Sequence, residues 1–191
     1  GITALTYEIV WTRMLTLVFG HTVFSVSVVL AAFMAGLGLG SYLFGYAVDR
    51  LPESNDSPSG SNAPSALLIY GWIEILIFAS GALLSLLFAN FSGIYSSLHS
   101  FIPESVPLQN AIKMLFAFGM MLIPTTLMGA TLPIISKYCV TDDSRMGTQV
   151  SLLYALNTLG AAAGCLLTGF FLMGTFGVLQ TVLLAAGANL L

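Results

Sequence analysis

Long apolar runs separated by short polar stretches set the architecture of this chain before any single residue does. They cover about 2–19, 23–48, 66–90, 109–138, 149–173 and 176–191, the last still apolar where the sequence stops. A helix of about 20 residues crosses the ~30 Å of bilayer hydrocarbon, and a barrel strand would be ~10 residues and alternating. The pattern therefore predicts an all-α membrane protein, a six-transmembrane-helix bundle forming one membrane domain over 1–191. Between the second and third runs, LPESNDSPSGSNAPS (51–65) carries three prolines among Ser, Asn and Gly and reads as a flexible loop. The 91–107 segment is too short and too polar to span. Its Phe91, Ile94, Tyr95, Leu98 and Phe101 recur at helical spacing, which predicts an amphipathic helix in the membrane interface. Gly20, His21 and Thr22 form a short turn at the membrane surface. VTDDSRMGT (140–148) is a polar connection in which Asp142 or Ser144 would cap the next helix.

Small residues mark which helices pack closely. The second run has Ala32, Gly36 and Gly40, then Ser41 and Gly45; the fifth has Gly160 and Gly164, then Ala161, Cys165 and Gly169. Such small-xxx-small spacing lets helix backbones approach in lipid, where packing replaces the hydrophobic drive between helices. Gly36, Gly40, Gly45, Gly160, Gly164 and Gly169 are therefore the expected helix-packing positions. In the fourth run Pro124 and Pro133 remove backbone donors, and Thr125, Thr126 and Thr131 stand close enough to satisfy the freed carbonyls.

Composition agrees and excludes several function classes. Hydrophobic residues make up 57% of the 191 and charged ones 7%, against about 25% in soluble domains. Five basic and eight acidic side chains are too sparse and too mixed for a nucleic-acid surface. Cys139 and Cys165 have no metal-ligand or disulfide spacing, so no metal is expected. No charged leader with a cleavage site precedes the first run. The Gly1 start and apolar finish lead one to expect part of a longer chain.

The few polar residues inside the runs are the candidate chemistry. Glu8 and Arg13 share the first helix but point about 140° apart at 100° per residue, so each is expected to find its partner elsewhere. Arg50, Lys137 and Arg145 flank one set of helix ends and Lys113 the other. That excess places both termini in the cytoplasm, with the protein in the cell (inner) membrane. On this topology Glu8, Ser41, Glu74, Thr131 and Asn157 lie six to eight residues from the cytoplasmic helix ends. At 1.5 Å per residue that is one layer, ~9–12 Å deep, with Arg13 about a turn deeper. It is either a buried polar cluster in which Glu8 or Glu74 neutralises Arg13, or a set of groups each satisfied by its own backbone or a water.

Four blocks carry a resemblance. GITALTYEIVWTRMLTLVFGHT, VLAAFMAGLGLGSYLFGYAVDR, LMGATLPIISKY and LLYALNTLGAAAGCLLTGF resemble the N-terminal membrane region of bacterial spermidine synthase-like proteins. In that family a helical membrane module precedes a cytoplasmic aminopropyltransferase domain. Gly45, Asp49 and Arg50 resemble, more weakly, the signature between helices two and three of major-facilitator transporters, without its Gly-Arg-Arg continuation. The resemblance implies an enzyme elsewhere in a parent chain. GLGLGSYLFG lies inside an apolar helix rather than after a strand, so no nucleoside site, catalytic residue or cofactor is expected within this segment. Three functions stay open. They are an anchor or regulatory module for a cytoplasmic aminopropyltransferase domain, half of a secondary transporter for a cationic amine with a second six-helix half, and a structural subunit among other membrane subunits. In each the lipid bilayer is a partner.

Overall fold

The computed structural model describes residues 1–20, 22–50, 63–91, 93, 105–139 and 146–189. Among these, five helical runs are long and apolar enough to cross a membrane. The first four are α1 (Ile2–Phe19), α2 (Thr22–Asp49), α3 (Ala63–Ala89) and α4 (Val106–Cys139). The fifth is one run, Met146–Ala188, made of α5 (Met146–Leu167), a π-helical turn (Thr168–Leu172) and α6 (Met173–Ala188).

The expected boundaries hold to within a few residues for the first four runs. The fifth and sixth runs, expected as separate helices over 149–173 and 176–191, are instead joined. Their break is a single residue, Gly177, at φ 75° and ψ 176°, inside what is otherwise continuous helix. Gly174 stays helical; only Gly177, at positive φ, interrupts the line. α3 begins at Ala63, so the end of the expected 51–65 loop is helical; the rest of that loop lies outside the described residues. Most of the interfacial segment (94–104), His21 and the cap residues Asp142 and Ser144 also lie outside them.

Directions follow from cross-helix contacts. Trp11 meets Ser85 and Tyr7 lies against Gly81, so α1 and α3 run parallel. Gly1 packs on Asn157 and Ala161, Ile2 on Gly164, and Thr6 on Thr168, which makes α1 and α5 parallel as well. α2 and α4 are parallel to each other, with Ala32 and Gly36 at Thr125 and Gly40 at Thr126 and Ala130. The short connection at Gly20, where φ is 72°, turns α1 back into α2. This alternation is what successive membrane passes require.

The molecule is apolar inside and out. Tyr7, Val10, Trp11, Leu15, Phe33, Met121 and Ile134 are fully or almost fully buried. Large apolar side chains such as Val23, Leu115 and Phe170 are three-quarters exposed. A water-soluble bundle would leave polar residues on that outer surface; here it is suited to lipid.

Glycine decides how close the helices come. A Cβ on Gly36 would overlap the Thr125 side chain, one on Gly40 the Thr126 carbonyl, and one on Gly129 the Leu37 carbonyl. On the other side of the bundle a Cβ on Gly164 would overlap the Ile2 carbonyl, while Gly160 is in ordinary contact with Ile2 at 3.4 Å. Gly45 and Gly169 do not take the packing role expected of them. Nothing lies within 4 Å of either Cβ position, because both look away from the neighbouring helix.

Candidate functional site

The polar residues of the membrane interior resolve into separate local arrangements. Ser41 is the clearest case. Pro133 has no N–H, which frees the carbonyl four residues earlier, that of Gly129. The Ser41 hydroxyl donates to that carbonyl from α2 at 3.0 Å. The contact exists because Gly40 and Gly129 bring the two backbones together. Thr125, buried beside Pro124, donates within its own helix to the Met121 carbonyl at 2.7 Å and reaches the Ala32 carbonyl of α2 at 3.3 Å. Thr131 donates to Met128 at 2.7 Å. Of these hydroxyls only that of Ser41 meets a carbonyl that a proline frees, and two of them, Ser41 and Thr125, reach across the α2–α4 interface.

A second seam joins α1 to α3 and to the π-helical turn. The Trp11 indole N–H donates to Ser85 at 2.9 Å, and Ser85 donates onward to the Gly81 carbonyl at 2.8 Å. Thr168, in the π-helical turn, donates to the Thr6 hydroxyl at 2.9 Å, and Thr6 donates to the Ile2 carbonyl at 3.0 Å. Tyr7, Trp11 and Phe33 stack through this seam, with ring centroids 5.0 and 5.7 Å apart. Trp11 thus both packs and donates. The Tyr7 hydroxyl is buried with no hydrogen-bond partner among the described residues.

The carboxylates lie apart from the arginine. Glu74 is half-buried, with the Tyr70 hydroxyl hydrogen-bonded to it and the Gly1 amine as its neighbouring positive charge. Arg13 is exposed, twelve residues beyond Gly1, or about 18 Å along α1. Glu8 is half-buried as well. Asn157 is exposed, its backbone carbonyl against Gly1. Among the described residues no hydrogen bond or ion pair links Ser41, Glu74, Thr131 and Asn157 to one another or to Glu8 or Arg13. Satisfaction by a residue's own helix describes Thr131; Ser41 instead donates to a carbonyl of another helix. At the end of α2 the Arg50 guanidinium folds over the Tyr46 ring, 4.1 Å from its centroid, and contacts the Tyr46 hydroxyl. The Asp49 side chain lies outside the description.

Sequence spacing could have found Tyr70, four residues before Glu74, since i and i+4 share a helix face. It could not have found Ser85 or Thr168, whose partners are 74 and 162 residues away. Among the described residues no group of His, Cys, Asp and Glu could hold a metal ion. What the buried polar groups do chemically is donate to one another and to carbonyls across helix interfaces. No family model, no curated protein and no solved structure matches this chain.

Proposed function

We propose that this chain is a membrane-embedded anchor module, as its resemblance to the membrane region of spermidine synthase-like proteins implies, with catalysis left to a domain it would carry or bind. One observation supports this reading above the transporter alternative. The two helix pairs are joined backbone to backbone through Gly36, Gly40 and Gly129 on one side and Gly164 on the other, and hydroxyls are tied across the first joint. Helices held by close backbone contact resist the rocking that alternating access needs. An anchor has use for that rigidity.

The same proposal takes the 43-residue fifth run as two passes. At 1.5 Å per residue it would extend about 64 Å if straight, twice the hydrocarbon thickness. Gly177 interrupts it, and beyond the break Thr181, Val182, Ala185 and Ala186 are buried. A return pass packed beside α1 and α3, which α6 contacts, accounts for that burial. The 11 residues from 178 to 188 reach about 16 Å, so on this reading the bundle has entered a sixth pass, as in half of a major-facilitator fold, with both termini directed to the cytoplasm of a cell whose inner membrane holds it.

Uptake by proteoliposomes tests the function. Purified chain in sealed vesicles is expected to admit no labelled spermidine or putrescine above empty vesicles. A soluble domain fused to its C-terminus is expected to stay with the membrane through high-salt washing. Saturable amine uptake, or release of the fusion by salt, overturns the anchor reading.

A further inference from the structure

We draw no further inference here: the strongest candidate, the largely apolar crevice of about 470 Å³ where α1 and α3 finish beside Val178 and Leu179 of α6, carries nothing because no feature among the described residues shows what covers it.

Discussion

Two side chains of α1 give tests at the scale of single residues. The Tyr7 hydroxyl is buried without a hydrogen-bond partner among the described residues, and an unsatisfied buried polar group carries a penalty of about 1–3 kcal/mol. Tyr7→Phe keeps the ring that stacks on Trp11 and removes that hydroxyl. It is expected to raise stability in detergent unfolding by about 1 kcal/mol; a loss of stability would mean that the hydroxyl has a partner after all. Arg13 gives the second test. It is exposed and about 18 Å along α1 from the Gly1 amine that neighbours Glu74. Groups so far apart are expected to act additively, to within about 0.3–0.5 kcal/mol. The double mutant Arg13→Leu, Glu74→Leu is therefore expected to equal the sum of its single mutants in unfolding free energy. A coupling above 1 kcal/mol would restore the buried ion pair that sequence reasoning offered. Glu8, Arg13 and Glu74 were legible as costly residues in a membrane, but residue type and depth do not say which way a side chain points.

Among the helices, α4 and its contact with α2 carry the sharpest expectation. Pro133 leaves the Gly129 carbonyl without its own helix's donor, and Ser41 supplies one from the neighbouring helix. Ser41→Ala should therefore lower stability by about 0.6 kcal/mol, the usual worth of an interhelical hydrogen bond in a membrane. In a Pro133→Ala background the helix makes its own bond to Gly129, and the same serine change should then cost almost nothing. A double-mutant cycle on unfolding free energies measures the difference. Equal costs in both backgrounds would separate the serine from the proline. Here the sequence held both halves of the device, a proline and small polar residues, yet the threonines of the same helix were the nearer donors by number. The serine wins at Gly129 because Gly40 and Gly129 let α2 come within reach, which is a property of two helices together.

For the molecule as a whole, the number of passes is the open quantity with a direct measurement. Six passes return the chain to the side from which it started, and five leave it opposite. Reporters fused at the N-terminus and the C-terminus, active only in the cytoplasm, are expected to report the same side. Opposite signals would make Met146–Ala188 a single crossing. Sequence by itself determined the class of this protein, because apolar runs of this length have one stable form in lipid, the helix that closes all of its own hydrogen bonds. It determined most helix boundaries for the same reason, and Gly36, Gly40 and Gly164 as positions where a side chain has no room. Tertiary structure alone decided which glycines meet a neighbour, since Gly45 and Gly169 have the same local spacing and face open space. It also decided that the last two runs join and break at Gly177, and that Trp11 finds Ser85 and Thr6 finds Thr168. Those outcomes depend on the rotation of one helix against another. In a chain apolar on every face, no hydrophobic stripe records that rotation in the sequence.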